Sequence, residues 1–193
     1  MDGNFAEYLL ADSHNVLPLP AELDFTDAAP LMCAGLTIFT AFKNCGLKPG
    51  DWVAISGAGG GLGHLGIQFG KALGYRVVGI DNRDSSIDLI RSLNCCEIIV
   101  DARKETTAEV FKKCNNGIGV DAVLILPESQ RAFDYAAPLA KKAGTVCIVS
   151  FPVKGFTISS NEVVFRDVRY IGIFNDARWL IFRNTVGNYE GGC

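Results

Sequence analysis

The residues best placed to do chemistry are a set of glycines and one acid. In VAISGAGGGLGHLGIQFGKALGYRVVGID, Gly57, Gly60 and Gly63 stand at G-x-x-G-x-x-G spacing between a short apolar run and a helix-like segment, and Asp81 ends the next apolar run. Glycine at such a bend allows a tight turn, close approach of the backbone to an anion, and close packing of helix on strand. The amides that open the helix have no intrahelical acceptor, so they point at a negative charge. A carboxylate at Asp81 would accept hydrogen bonds from ribose hydroxyls. A glycine motif alone would serve packing equally well, with Asp81 simply ending a strand; the complete order of strand, turn, helix, strand and acid is what points to a dinucleotide. Gly59 and Gly61 add redundancy to the turn, and no Lys-Ser/Thr follows, as the phosphate loop of a nucleoside triphosphatase would require. Asp81 would repel a 2′-phosphate, which favours NAD. Arg83, two residues on, could pair with that phosphate and shift preference towards NADP.

The elements that must position these residues alternate along the chain. From Trp52 onward, short runs of β-branched and aliphatic residues (53–56, 76–80, 97–100, 122–126, 144–149 and 168–174) read as buried parallel strands. Between them, 62–73, 85–93, 106–114 and 128–139 carry apolar residues at helical spacing. The fold class expected is α/β: a Rossmann-type, doubly wound parallel sheet of six strands with right-handed crossovers, and a small N-terminal piece added. That piece reads as a strand and turn over 5–16 and a helix pair over 26–44 interrupted near Pro30. From Trp179 the tail is polar and glycine-containing, and fraying is expected there.

Composition narrows the partners. The chain has 193 residues, 49% hydrophobic and 20% charged, with a net charge of -3, enough for one full core but not two. The acidic balance and the absence of Lys/Arg clusters beyond pairs such as Lys112-Lys113 argue against nucleic acid as a partner. No apolar run is expected to reach the roughly 18 residues of a membrane span, and the polar, acidic start does not read as a leader, so a cytoplasmic protein with no membrane partner is expected. Seven cysteines, an odd number with no C-x-x-C pair, read as reduced and mostly buried thiols rather than a disulfide framework.

The stretches FAEYLLAD, AAPLMCAGLTIFTAFK, LKPGDWVAISGAGGGLGHLGIQFGKALGYRVVGID and IVSFP, in this order, resemble the zinc-dependent alcohol dehydrogenases of the medium-chain dehydrogenase/reductase superfamily, in particular the fungal tetrameric type, over residues 3–173. The resemblance implies residues 1–45 as a remnant of a catalytic domain packed on the sheet, 46–175 as an NAD-binding Rossmann domain, and 176–193 as a divergent tail. It implies hydride transfer between NAD and a primary or secondary alcohol or aldehyde. Gly60, Gly61 and Leu62 match the family's pyrophosphate turn, with Gly57 and Gly63 flanking it, and Asp81 matches its ribose carboxylate. Thr37 matches a threonine beside the nicotinamide, Val149 and Phe151 match the turn that holds the carboxamide, and Ile173 matches a position lining the same pocket. Cys33 matches the third protein ligand of the catalytic zinc.

Departures from the family pattern temper that reading. The family's other two zinc ligands, a cysteine and the histidine of a G-H-E motif, lie upstream of Phe5 and have no counterpart here; His14 and His64 occur in other contexts. Cys33 then reads as a buried thiol kept from an ancestor ahead of a zinc ligand, and zinc is expected only if ligands come from elsewhere. A lysine usual after the ribose acid is replaced around Ser85-Ser86, and the segment after the sixth strand differs. The expectation is the nucleotide-binding core of an alcohol dehydrogenase, as a truncated product, an excised domain or a diverged relative, with weak or no alcohol turnover and an exposed apolar patch near 31–42. Two rivals stand beside it: a non-catalytic protein that forms a homodimer through the edge strand 170–174, and a zinc-independent quinone or enone reductase.

Overall fold

The computed structural model describes residues 6–11, 16 and 18–173. His14, Phe174 and the tail, with the readings made on them, lie outside that set.

Six parallel strands form one sheet in the order β3-β2-β1-β4-β5-β6. They are β1 (Trp52–Ser56), β2 (Arg76–Asp81), β3 (Ile98–Asp101), β4 (Val120–Ile125), β5 (Ala140–Ile148) and β6 (Arg169–Gly172). Among the described residues, seven α-helices join or precede them: α1 (Phe25–Pro30), α2 (Leu36–Cys45), α3 (Gly61–Ala72), α4 (Asp84–Leu93), α5 (Thr107–Lys113), α6 (Gln130–Ala136) and α7 (Ser160–Val164). The order reverses between β1 and β4, and at such a switch point the connections leave in opposite directions and open a crevice beyond the strand ends.

Both faces of the sheet are covered at its centre, which is why β1 runs apolar from Trp52 to Ile55 without alternation and is buried along its whole length. Along β1, Val53 and Ile55 point into one core with Ile38, Ala41 and Phe42 of α2 and Ile67 of α3. Trp52 and Ala54 point into the other, with Val110 of α5 and Phe133 and Ala136 of α6. The same division holds along β4, where Ala122 and Leu124 face the first core and Val123 and Ile125 the second. On the first face Phe42 meets Tyr75 edge-on, with ring centroids 5.4 Å apart.

Strand and helix boundaries differ from the sequence expectation where proline or an irregular backbone intervenes. The helix expected over 128–139 stops at Ala136, and a short 3-10 turn (Ala137–Leu139) follows, because Pro138 has no N–H to continue the ladder. Strand β5 starts at Ala140, earlier than expected, and carries an irregularity in its pairing with β4; Ala143 there takes a left-handed conformation, φ 59°.

The N-terminal segment departs more. Among the described residues, 6–11 form no strand, and Tyr8 and Leu10 are almost wholly exposed, so this stretch has no sheet edge to pair with. The expected helix pair is one continuous helix through Pro30. A π-type turn over Leu31–Gly35 follows the proline, in which the Leu36 N–H reaches the Leu31 carbonyl, a widening that accommodates the donor Pro30 lacks. This helix, Phe25–Cys45, has 21 residues and mean hydropathy 1.4, long and apolar enough by length and composition to cross a membrane, contrary to expectation. Its α2 half uses its apolar side on the sheet: Ile38, Phe39 and Phe42 are buried. The apolar patch expected over 31–42 is accordingly smaller: within that span the exposed residues are Met32 and Cys33.

The six described cysteines are free thiols, with Cys45, Cys114 and Cys147 buried, as read from the sequence; Cys33 is the exposed one. Burial pushes the Cys96 thiol up to about 12 and Cys114 to about 11.

Candidate functional site

Because all six strands are parallel, their C-terminal ends share one edge of the sheet, and the candidate site residues gather along it. The turn after β1 closes on that edge. Both the Gly57 and Ala58 N–H groups donate to the Ile80 carbonyl, at 2.8 and 3.0 Å, and Gly57 adopts φ 77°. Gly60 precedes α3 in an extended conformation, φ -84° and ψ 179°. The first helical bond is His64 N–H to the Gly60 carbonyl, so the amides of Gly61, Leu62 and Gly63 lie ahead of any intrahelical acceptor.

Close packing holds this turn, though not through the glycines the spacing suggested alone. A Cβ on Gly63 would lie 2.2 Å from the Gly57 carbonyl oxygen and 2.6 Å from the Ala58 Cα. At Gly59 it would lie 2.4 Å from the Ser86 Cβ and 2.6 Å from the Ser86 Cα, so Gly59 is not redundant: it brings the turn against α4. At Gly61 a Cβ would meet nothing within 4 Å, which leaves the mouth of the turn open.

Asp81 is aimed at the turn. It is 6% exposed, and its Oδ2 accepts from the Gly59 N–H at 3.1 Å. Its Oδ1 accepts from the Asn82 N–H at 2.8 Å and, at 3.5 Å, from Arg83 Nε. Each carboxylate oxygen has two lone pairs, so acceptor capacity remains for hydroxyls.

A cavity of about 520 Å³ opens here, lined by Ser56 and Gly57 at the end of β1, Asp81 and Arg83 at the end of β2, and Arg103 after β3, with Arg131 and Tyr135 of α6 across from them. Its volume is ordinary for a small-molecule site. The sequence reading missed the α6 wall and the loop after β3. There Arg103 donates through Nε to Asp101 Oδ1 at 2.8 Å, through Nη2 to Asp101 Oδ2 at 2.7 Å, and to Asp84 Oδ1 at 2.5 Å. Those hydrogen bonds hold the Asp101 and Asp84 carboxyls below the usual carboxylate range. Burial, with Glu105 nearby, pushes the Tyr135 phenol up to about 12, and its hydroxyl donates to the Glu105 carbonyl at 2.8 Å.

Val149 and Ile173 continue β5 and β6 by one residue each. The Val149 N–H donates to the Ile125 carbonyl at 3.1 Å, and the Ile173 N–H to the Ile148 carbonyl at 3.0 Å. Both therefore sit on the same edge as the glycine turn, with Ile173 buried and Phe151 exposed beyond them. Thr37 is buried in α2, where its hydroxyl donates to the Cys33 carbonyl at 2.7 Å, one helical turn back. Cys33 itself stands exposed on the π-type turn.

The two cofactors the sequence points to fare differently. For a dinucleotide the residues fit: open amides at the start of α3, a turn that side chains would fill, and a buried carboxylate one strand over. For zinc they do not: no group of three or more His, Cys, Asp or Glu side chains that could hold a metal occurs among the described residues.

Strand order, turn and acid together define a Rossmann-type domain of the dinucleotide-binding class. Residues 61–186 match the model of the zinc-binding dehydrogenase family. The chain is 39% identical over 153 residues to an alcohol dehydrogenase of Schizosaccharomyces pombe, covering 79% of this chain and 43% of that protein. It is 36% identical over 172 residues to an alcohol dehydrogenase of Geobacillus stearothermophilus, covering 89% of this chain and 50% of that one. Among solved structures, the alcohol dehydrogenase of the archaeon Aeropyrum pernix superposes with a TM-score of 0.69 at 26% identity, covering 88% of this chain and 51% of that chain. An NAD-dependent alcohol dehydrogenase gives 0.80 at 23% identity, covering 95% and 54%. The chain belongs to the zinc-binding dehydrogenase family, and it spans about half the length of the curated relatives it matches.

Proposed function

We propose that this chain binds NAD(H) in the crevice at the β1–β4 switch point, as the nucleotide-binding core of an alcohol dehydrogenase of the cytoplasm. One observation carries the reading: the buried Asp81 carboxylate accepts a hydrogen bond from the turn it would serve, at Gly59, and Asp81 borders the same cavity as Gly57, where that turn begins. The amides of Gly61, Leu62 and Gly63 would hold the diphosphate, and Asp81 the adenosine ribose. Val149, Phe151 and Ile173, at the ends of β5 and β6, and Thr37 would line the nicotinamide side. The cofactor, when bound, supplies hydride chemistry; this chain's residues orient it and close one wall around it. The substrate class in this reading is a small primary or secondary alcohol or its aldehyde or ketone.

The 193-residue chain by itself is proposed to turn over alcohol weakly or not at all. Hydride transfer needs cofactor, substrate carbon and an acid held together at near-attack distance, and Cys33 is exposed without a ligand cluster among the described residues. A homodimer is a second reading. Among the described residues strand β6 pairs with β5 on one side only, and Val164 and Phe165 just before it are exposed; an uncovered edge of this kind tends to find a partner.

Calorimetric titration with NADH, on wild type and Asp81→Ala, tests the main reading. Asp81→Ala removes charge-assisted bonds to the ribose, each worth about 1.5–3 kcal/mol, so NADH affinity falls at least about tenfold. Equal binding by the two proteins would remove Asp81 from the site.

A further inference from the structure

A second cavity lies at the other end of the sheet. It has a volume of about 370 Å³ and opens where the strands begin, beside Asp51 ahead of β1, Asp121 of β4, Lys141 of β5 and Arg169 of β6. Dinucleotide crevices form at the C-terminal ends of such strands, so this cavity is separate from the one beside Asp81. Cys45, the last residue of α2, lines it. The helix ends there on Gly46 in a left-handed conformation, φ 70°, and a Cβ at Gly46 would meet nothing within 4 Å. The turn that follows Cys45 therefore carries no side chain at Gly46 to close over its sulfur.

Behind Cys45 stands a second thiol. Helix α2 packs on β5, and Cys45 and Cys147 belong to the same core, 7% and 0% exposed. Both are free thiols. The Cys147 thiol donates a hydrogen bond to the Cys45 sulfur; that bond, with burial, pushes Cys147 well above the ordinary thiol range and keeps it protonated. One sulfur thus faces a cavity, and the other, wholly buried, touches the first.

The charges of the lining select what can enter. Three carboxylates, Asp51, Asp121 and Asp167, stand against two cations, Lys141 and Arg169, and Lys141 is paired with Asp121. This net negative lining repels an anionic oxidant such as glutathione disulfide and admits a small neutral one.

We propose that Cys45 and Cys147 form a peroxide-sensitive thiol pair, in which hydrogen peroxide entering this cavity oxidises Cys45 and Cys147 then closes a disulfide between α2 and β5. In the first step the Cys45 sulfur attacks one peroxide oxygen. The S–O bond forms, the O–O bond breaks, and the leaving hydroxide takes the Cys45 proton to become water, so that Cys45 is a sulfenic acid. In the second step the Cys147 sulfur attacks the Cys45 sulfur. The S–S bond forms, the S–O bond breaks, and the departing hydroxide takes the Cys147 proton as a second water. The two thiols together lose two electrons, and one peroxide is reduced to two waters. Contact between the sulfurs makes this second step an intramolecular attack in place of a bimolecular one.

Peptide mapping by mass spectrometry tests the pair on the full chain, folded in buffer, treated with hydrogen peroxide, quenched with catalase and then alkylated in urea. In wild type a peptide cross-linked through Cys45 and Cys147 appears, alkylation is lost at both positions, and both thiols return on adding dithiothreitol. In Cys147→Ala the Cys45 sulfenic acid persists and is trapped by dimedone, and in Cys45→Ala the Cys147 thiol stays open to alkylation. The mapping of wild type needs no variant, so a variant that fails to fold leaves the test intact. Full alkylation of Cys45 and Cys147 in peroxide-treated wild type overturns the pair. So does an equal yield of the cross-link when peroxide is added to the chain in urea, where the fold no longer brings the two sulfurs together. A glutathione adduct on Cys45, formed from glutathione disulfide under the same folded conditions, overturns the selection of a neutral oxidant.

Discussion

Two alanine substitutions, two residues apart in α3, separate what the glycine turn does for the fold from what it does for a ligand. At Gly63 the nearest atoms to an added methyl are all main chain: the Gly57 oxygen at 2.2 Å, the Ala58 Cα at 2.6 Å and the Ala58 carbonyl carbon at 2.7 Å. None can rotate away, so turn and helix must separate, and Gly63→Ala costs about 3 kcal/mol, the upper end of overpacking. At Gly61 the added methyl meets nothing within 4 Å. There the lower backbone entropy of alanine leaves stability equal or raises it by up to ~1 kcal/mol. The same methyl, however, stands at the mouth where a diphosphate would meet the helix amides, and NADH affinity falls about tenfold, or ~1.4 kcal/mol. Urea unfolding followed by circular dichroism and NADH titration of both variants provide the readouts. Wild-type stability in Gly63→Ala would show that the turn is not packed as described. Wild-type NADH affinity in Gly61→Ala would mean that the diphosphate does not lie at the start of α3.

Two further outcomes follow from charge and from the sheet edge. Asp101 and Asp84 are held below the usual carboxylate range by hydrogen bonds from Arg103, so their stabilising contribution is present above the unfolded value and lost as pH falls below about 4 through the folded values; Arg103→Gln therefore moves the acid-unfolding midpoint, followed by fluorescence, to higher pH, and an unmoved midpoint would show that the clasp contributes nothing. Sedimentation equilibrium of the wild-type chain at micromolar concentration yields a dimer if β6 pairs with a second copy, whereas a monomer under the same conditions refutes that reading.

Legibility in the sequence followed the range of the forces involved. The six strands could be read because a sheet covered on both faces demands unbroken apolar runs, as in Val77, Val78 and Ile80. The glycine turn and Asp81 could be read because the order of strand, turn, helix, strand and acid that brings them together is itself a sequence pattern. The Gly59–Ser86 contact could not, since it joins the turn to a helix that begins after the next strand. Arg131 gave no local signal at all; it reaches the cavity only because β4 lies next to β1. Arg103 did leave a trace, an acid and a base alternating just past a strand in Asp101-Ala102-Arg103, but nothing in that pattern named Asp84 as the second acceptor. The helix through Pro30 was misread because proline usually breaks a helix, and here a local widening absorbed it.

The single hydrogen bond between the Gly59 amide and Asp81 makes the two ends of the crevice mechanically dependent on each other. Substituting the acid slackens the loop that faces the diphosphate, and deforming the loop swings the acid off the sugar. Energies measured by changing the two ends separately should then fail to add, and the size of that shortfall reports the stiffness of the strut between them.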